Sequence, residues 1–292
     1  MIIEAIQVAA ESGSSPDGKA YAKLSLHSAS EIAGRFSCSL KDVEIIALEN
    51  GVVPERYQRS LGTIGGAAGQ ITLLKSQAAV IGLGGLGGLA AELLARMGIG
   101  SLVLVDGDFF SESNLNRQVL CTENNLGRSK ALEAAARIKE INSALETRVV
   151  AEFIKPENAE DILRGSQVVL DCLDNLQTRF LLQKSCRKLG LPMIHGAIAQ
   201  FYGQVSTIFP GDSGFDVIYG SYDEGKETGK GSDGSERGIE KELGNPATTP
   251  AIVAAWQVQE ALKLLLGREP LLRNCLFYID SLTCACEIIA LK

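Results

Sequence analysis

Three glycines in the first third of the chain follow the spacing of a phosphate-binding turn. In the stretch AVIGLGGLGGLA, Gly82, Gly84 and Gly87 fit the pattern GxGxxG. The apolar run QAAVIG before them predicts a buried strand, and LGGLAAELLARMG after them predicts a helix. Glycines at such a junction let the backbone turn tightly and bring phosphate oxygens to the N-terminus of a helix. The motif therefore predicts a nucleotide site, but it does not by itself favour NAD over other nucleotides.

Polar side chains are concentrated in the segment after the next strand, VDGDFFSESNLNRQVLCTENNLGRSKA. Asp106 ends the strand SLVLVD, at the position where a ribose hydroxyl is bound in folds of this kind. A dehydrogenase needs little more than that acid, whereas transfer from a triphosphate needs cations to stabilise the departing pyrophosphate. Arg117 and Lys130 have that chemistry. The same segment also supplies Asp108, Asn114 and Gln118 as candidate nucleotide ligands.

A further group of candidates follows the strand QVVLDCLD. Asp174 and Asn175 are predicted at the same carboxyl edge of the sheet, where ligands bind in parallel sheets. Asp174 is a candidate Mg²⁺ ligand, and the alternative is that it only caps the helix NLQTRF. The chain has two histidines, His27 and His195. His195 lies at a strand end in MIHGAI, where it is either near the pocket or has a structural role, and the structural role is favoured.

Alternating strand and helix patterns from Gln77 onward position these residues. Near-continuous Val, Ile and Leu in the strands are typical of a parallel sheet covered by helices on both faces. FYGQVSTIF predicts a strand that pairs with the preceding one, and NCLFYID with CEIIAL predicts a closing hairpin. We therefore expect an α/β fold: a doubly wound, Rossmann-like, mainly parallel sheet with C-terminal antiparallel strands.

Two segments lie outside this alternation. Residues 1–50 predict a small helical N-terminal extension, because SASEIAGRF and SLKDVEIIALENG read as two short helices with serine caps. The segment at about 211–247 is rich in glycine, serine and charged residues and poor in aliphatic ones. We expect it to form a mobile loop, because it is too polar to pack as core.

Composition excludes several classes of partner. The 292 residues contain 28 Lys and Arg against 35 Asp and Glu, a net charge of −7, which argues against binding to nucleic acid or an anionic membrane. No apolar run reaches the length of a membrane span, and the first residues do not resemble a secretory leader. The cysteines, seven in all, do not form a disulfide framework, so a cytoplasmic location is expected.

Six separated motifs resemble, in order and spacing, the ThiF/MoeB/HesA family related to ubiquitin-activating enzymes. They are RYQRSLGTIGGAAGQITLLKSQAAVIGLGGLGG, LVLVDGD, SNLNRQ, GRSKA, LDCLDN and YGQVSTIFPG. The resemblance implies that residues 51–292 form an adenylyltransferase domain that uses ATP and Mg²⁺. Its implied substrate is a carboxylate, usually the C-terminal glycine of a ubiquitin-like sulfur-carrier protein of the ThiS/MoaD type, and pyrophosphate is released.

The resemblance also assigns roles to individual positions. It places Gly85 beneath the phosphates, Lys130 on a phosphate and Asp174 on the metal ion. Asp106 holds the ribose in this assignment. The nucleotide site is lined by a run of five residues: Ser113, Asn114, Leu115, Asn116 and Arg117. Family enzymes are homodimers in which an arginine of the RYQR stretch reaches the partner's ATP, and that position is Arg59 here.

The chain departs from the family pattern at two places. Many members bind zinc through two CxxC pairs, but the segment after YGQVSTIFP reads GDSGFD, and the spacing of CAC at 284–286 is wrong for a second pair. We expect no structural zinc. Some members also use a loop cysteine to bond the activated carrier, and residues 187–274 contain none. We therefore expect adenylation alone, with sulfur supplied by another protein.

Three alternatives remain open at this point. The same chemistry could act on a small-molecule or peptide carboxylate. The glycine motif is also compatible with an NAD-dependent Rossmann oxidoreductase. Finally, the chain could be a binding module that lacks catalysis.

Overall fold

The N-terminal part of the chain combines three helices with a small sheet. The computed structural model describes residues 1–14, 20–220, 244–269 and 272–291. Its first elements are α1 (Ile2–Ala9), β1 (Glu11–Ser14), β2 (Ala20–Leu24), α2 (Leu26–Phe36), α3 (Leu40–Glu49) and β3 (Val52–Pro54). β1 pairs antiparallel with β2, and β2 pairs parallel with β3. The two predicted helices are α2 and α3, whose caps Ser25 and Ser39 accept hydrogen bonds from backbone N–H groups.

The sequence analysis missed the small sheet. Its strands are four, five and three residues long, and β1 reads ESGS, so no apolar alternation marks them. The third strand lies entirely beyond residue 50, the boundary expected for the extension. Residues of this part, among them Ile6, Leu24 and Val43, form a hydrophobic cluster of their own.

An eight-stranded sheet forms the centre of the rest of the chain. After a 3₁₀ turn at Glu55–Tyr57 come α4 (Leu61–Ile64) and α5 (Gly66–Leu74). The strands are β4 (Gln77–Ile81), β5 (Ser101–Val105), β6 (Glu146–Val150), β7 (Val168–Asp171), β8 (Met193–Ala199), β9 (Tyr202–Ile208), β10 (Cys275–Asp280) and β11 (Ala285–Ala290). Their order is β11-β10-β9-β8-β7-β4-β5-β6. The five neighbouring strands β6, β5, β4, β7 and β8 run parallel. The pairs β8–β9, β9–β10 and β10–β11 are antiparallel, which confirms the predicted fold class.

Helices cover both faces of this sheet. They are α6 (Gly85–Arg96), α7 (Lys130–Ile141), α8 (Ala159–Leu163), α9 (Leu176–Leu189), α10 (Phe215–Ile218) and α11 (Thr248–Leu265). Successive residues of β4 join different hydrophobic clusters: Val80 packs with α6, α7 and α11, and Ile81 packs with α8, α9 and α10. This alternation follows from the pleat of a strand. Among the described helices, none is both long and apolar enough to cross a bilayer.

Part of the segment predicted as a mobile loop packs against the domain. Residues 221–243 lie outside the described residues, but α10 lies within the predicted loop. Phe215 is fully buried, and its N–H donates to Gln183 Oε1 over 2.7 Å. The expectation of a polar loop was therefore wrong for residues 211–220. Phe215 packs among residues of α8 and α9, and Arg187 of α9 donates to the carbonyls of Asp212 and Ser213, so this short stretch is held against the domain.

Candidate active site

The glycine turn lies where the strand order reverses. β4 has β5 on one side and β7 on the other, and ligands bind at such a switch point in doubly wound sheets. Gly82 has a φ of +88°, and a Cβ there would lie 2.7 Å from the carbonyl oxygen of Cys172. A Cβ on Gly87 would lie 1.7 Å from the carbonyl oxygen of Gly82. Only glycine fits at these two positions. Gly84 precedes α6 and has no capping side chain, so the first N–H groups of the helix remain available to an anion.

Asp106 connects the glycine turn to the loop after β5. Its Oδ2 accepts from Leu83 N over 2.7 Å, and its Oδ1 accepts from Asp108 N over 2.8 Å. Burial raises the pKa of this carboxyl above its usual value, opposed by the two backbone hydrogen bonds and by Lys130. Because each carboxylate oxygen can accept a second hydrogen bond, Asp106 can still bind ribose hydroxyls.

Two cationic side chains flank the turn. Lys130, the first residue of α7, is buried, and its Nζ lies 3.1 Å from Oδ2 of the half-exposed Asp108. Arg117 Nη1 donates to the carbonyl of Ser113 over 2.8 Å and to Asn116 Oδ1 over 2.9 Å. Asn116 in turn donates to the carbonyl of Asn245, just before α11. The two cations are thus held at the turn by neighbouring polar groups.

Asp174 is not the cap of α9. The cap is Asn175, whose Oδ1 accepts from Thr178 N over 2.9 Å. Asp174 is exposed and lies at the cavity described below, with its Oδ1 3.4 Å from Asn175 Nδ2. The alternative that Asp174 serves only as a helix cap is therefore excluded by the position of Asn175.

One cavity of about 950 Å³ brings most of these residues together. The predicted residues that line it are Gly82, Gly84, Gly85, Asp106, Asp108, Ser113, Leu115, Asn116, Arg117, Gln118, Lys130, Asp174 and Asn175. Three others do not line it. Gly87 packs under the turn, and Asn114 is buried, with Oδ1 accepting from Ser111 N. Arg59 is exposed and lies outside the cavity.

The residues that line the cavity are suited to binding a nucleoside triphosphate. Gln118 is buried, and its Oε1 has no hydrogen-bond partner within the described part of the chain, so a polar group remains available at the cavity. A Cβ on Gly85 would lie 3.3 Å from Pro250 Cβ, which shows how closely α11 backs the turn. Residues 1–14, 20–220, 244–269 and 272–291 contain no group of three or more His, Cys, Asp or Glu side chains placed to bind one metal ion. A lone carboxylate such as Asp174 fits Mg²⁺ that is bound mainly by phosphates and water.

Comparison with known proteins shows the family of this chain. The sequence profile described as the ThiF family matches residues 57–292. The chain belongs to the ThiF family.

Named relatives of this ThiF-family chain include archaeal, bacterial and animal proteins. It is 36% identical over 224 residues to the SAMP-activating enzyme E1 of Haloferax volcanii, covering 77% of this chain and 80% of that protein. It is 34% identical over 215 residues to the sulfur carrier protein ThiS adenylyltransferase of Bacillus subtilis, covering 72% and 60%. For the adenylyltransferase and sulfurtransferase MOCS3 of Xenopus laevis the identity is 34% over 230 residues, covering 78% and 49%, so the chain spans about half of that relative.

Solved structures share the fold at lower identity. A crystal structure of E. coli MccB with ATP has a TM-score of 0.67 at 20% identity, covering 86% of this chain and 78% of that one. A crystal structure of PaaA has a TM-score of 0.66 at 21% identity, covering 82% of each chain. At these identities the likeness concerns the fold of the ThiF-family chain alone.

The cavity of this ThiF-family chain also contains residues that the sequence analysis missed. Arg179 is buried one turn into α9 and lines the cavity. The only sequence signal for it was its place in TRF, shortly after the motif LDCLDN. Phe153, which follows β6 and is 57% exposed, lines the cavity near Gly107. His195 does not line it: the side chain is fully buried, and Nδ1 lies 2.7 Å from Asp171 Oδ2. Burial lowers the pKa of His195, which favours the neutral ring.

Proposed function

We propose that this chain activates the C-terminal carboxylate of a ubiquitin-like sulfur-carrier protein by adenylation with ATP. It is an adenylyltransferase of the ThiF family, and relatives named for activating SAMP and the sulfur carrier ThiS support this substrate class. The observation that carries the proposal is the single cavity in which the glycine turn, Asp106 and the cations Arg117 and Lys130 meet. We place the reaction in the cytoplasm, since all seven cysteines are free thiols.

The reaction requires little proton transfer from the protein. A C-terminal carboxyl group has an ordinary pKa of about 3.3 to 3.7, so it is already an anion at neutral pH. One carboxylate oxygen bonds to the α-phosphorus of ATP, the bond from that phosphorus to the bridging oxygen breaks, and pyrophosphate leaves with the electron pair. The difficulty is to bring two anions together, which positioned cations relieve.

Each group at the cavity has a role in this proposal. Lys130, held by Asp108, and Arg117 bind phosphate oxygens, and the N-terminus of α6 adds backbone donors. Asp106 binds the ribose while it braces the glycine turn. Mg²⁺, held by Asp174 and the phosphates, would neutralise charge on the triphosphate.

We also propose that the chain works as a homodimer in which Arg59 acts at the partner's cavity. Tyr57 is fully buried, and its hydroxyl donates to Glu44 Oε2 over 2.9 Å. Arg56 pairs with the same carboxylate of Glu44, with 3.2 Å between Nε and Oε1. Of the two arginines in RYQR, Arg56 is therefore engaged within the chain, whereas Arg59 is exposed and available to a second copy.

The substrate class is tested by ATP–pyrophosphate exchange. We expect exchange that depends on a carrier protein ending in Gly-Gly, and no exchange when that protein lacks its last two residues. Exchange driven instead by a small carboxylic acid or an unrelated peptide would assign a different substrate. Tight binding of NAD without binding of ATP would refute adenylation altogether.

Mixing two inactive variants tests the shared site. Arg59→Ala and Lys130→Ala chains, mixed in equal amounts and allowed to exchange subunits, restore one intact site per heterodimer if Arg59 acts across the interface. Random pairing then gives about one quarter of the wild-type exchange rate. A mixture that stays inactive would place Arg59 outside the partner's site.

A further inference from the structure

A buried polar network lies one layer behind the cavity. Asp171 ends β7, and its register partner His195 is the third residue of the neighbouring parallel strand β8; both side chains are fully buried. The Nε2 atom of His195 lies 3.0 Å from the hydroxyl of Tyr219, which follows α10, and 3.0 Å from Nε2 of Gln204 on β9. Gln204 also donates to the Tyr219 hydroxyl over 2.7 Å. With a proton on Nδ1, neutral His195 donates to Asp171 and accepts on Nε2, so every member has a partner.

Arg179 joins this network to the cavity wall. Its Nη1 donates to the Tyr219 hydroxyl over 3.2 Å, and its Nε lies 3.5 Å from Asp171 Oδ2. Its Nη2 donates to the carbonyls of Leu173 and Gly196. A buried guanidinium therefore links the end of β7, the middle of β8 and the tyrosine.

The network holds the peptide groups directly before Asp174. The N–H of Leu173 donates to Asp171 Oδ1 over 3.1 Å, and the carbonyl of Leu173 accepts from Arg179. Both polar groups of Leu173 are thus fixed by one buried ion pair. On the other side of Asp174, Asn175 is fixed as the cap of α9. The backbone on both sides of Asp174 is therefore held by specific hydrogen bonds.

We propose that Tyr219 and His195 are positioning residues for Asp174, acting through Asp171 and Arg179. This inference rests on the proposed function, in which Asp174 holds Mg²⁺ on ATP. Second-layer partners orient metal ligands, and their loss typically weakens metal binding even though they never touch the ion. Asp171 lies on β7, Arg179 on α9 and His195 on β8, and Tyr219 directly follows α10. Together they fix the end of β7 relative to β8, α9 and the end of α10.

The test measures metal binding apart from catalysis. Mn²⁺, which substitutes for Mg²⁺ and is detected by electron paramagnetic resonance, is titrated into the full chain with a non-hydrolysable ATP analogue. Affinity for the analogue without metal is measured separately by calorimetry. Tyr219→Phe removes the hydroxyl but keeps the ring that packs against Phe215 and His195. We expect about tenfold weaker Mn²⁺ binding and metal-free analogue affinity within about twofold of wild type.

A double-mutant cycle separates positioning from general loosening. If Tyr219 acts through Asp174, Tyr219→Phe has no further effect on Mn²⁺ affinity in an Asp174→Asn chain. The matched control is Tyr202→Phe, which removes a hydroxyl from β9 where the ring stacks on Tyr278, outside the network. His195→Gln gives a second perturbation of the same network.

Three outcomes would overturn the inference. They are unchanged Mn²⁺ affinity in Tyr219→Phe, the same loss in the Asp174→Asn background, or an equal loss in Tyr202→Phe. If the wild-type chain failed to bind the ATP analogue, the proposed function would fall and this inference with it. If wild type binds the analogue and Asp174→Asn weakens Mn²⁺ binding, the metal site stands, and the three comparisons made with Tyr219→Phe decide the inference.

Discussion

Replacing Gly87 with alanine tests the geometry of the glycine turn and the phosphate-binding role proposed for it. The added Cβ would lie 1.7 Å from the carbonyl oxygen of Gly82, whereas a carbon–oxygen contact needs about 3.3 Å. The obstacle is backbone, so no rotamer change relieves it. The first turn of α6 must therefore move away from the turn by more than about 1 Å.

This movement has two measurable consequences. Overpacking of a buried site costs about 1 to 3 kcal/mol of the free energy of unfolding, measured by urea denaturation. The N–H groups at the start of α6 also shift relative to the phosphates, and a displacement of about 1 Å lowers a rate about 100-fold. The assay is ATP–pyrophosphate exchange at saturating carrier protein, with Gly87→Ala compared with wild type.

Gly88→Ala is the matched control on the same helix. A Cβ there would lie 3.2 Å from Leu120 Cγ, a side-chain atom that can shift by a few tenths of an ångström. Alanine also restricts the unfolded chain more than glycine does, so this variant is expected to keep both stability and exchange. The reasoning is refuted if Gly87→Ala and Gly88→Ala exchange pyrophosphate at similar rates.

Four further results are expected. Lys130→Met weakens ATP binding at least about tenfold in calorimetry, because a charge-assisted contact to phosphate is lost, and unchanged affinity would remove Lys130 from the site. Tyr57→Phe lowers the free energy of unfolding in urea by about 1 to 3 kcal/mol, because Glu44 and Asn142 lose a buried partner; a loss near zero would contradict the role given to the hydroxyl. Elemental analysis of purified protein finds no zinc, and one tightly held zinc per chain would overturn that expectation. Burial lowers the pKa of His195 in the folded chain, so the unfolded chain takes up a proton first as the pH falls below about 6.5. The free energy of unfolding therefore falls as the pH drops below that value in wild type, and it falls less steeply in His195→Gln. The measurement is urea denaturation at several pH values, and equal slopes of the free energy of unfolding against pH in the two proteins would contradict this expectation.

The residues at the rim of the cavity could be found from sequence because the fold itself brings them together. Asp106 and Asp174 each follow a parallel strand, and the carboxyl ends of such strands share one edge of the sheet. The alternation of strand and helix patterns was strong enough to predict that edge. Local spacing and topology therefore sufficed to select these side chains.

The network behind the rim could not be found in the same way. His195 and Tyr219 are 24 positions apart and meet only because α10 packs its aromatic residues against the sheet. No periodic pattern encodes such a contact, and the polar composition around α10 predicted a loop instead. Arg179 was missed for a related reason: a single arginine in a helix is normally a surface residue, and only tertiary packing buries it.

The contact between Gly85 and Pro250 bears on modularity. The glycine turn, Arg117 and Lys130 all come from the first half of the doubly wound sheet. Pro250, which backs the turn, lies in the first turn of a helix more than 160 positions later. A fragment ending after β6 would retain Lys130 and Arg117 but lose both that support and β7, which Asp174 follows. The cavity is therefore not a half-domain that could be transplanted alone, because its wall is built by residues from both the first and the last parts of the sheet.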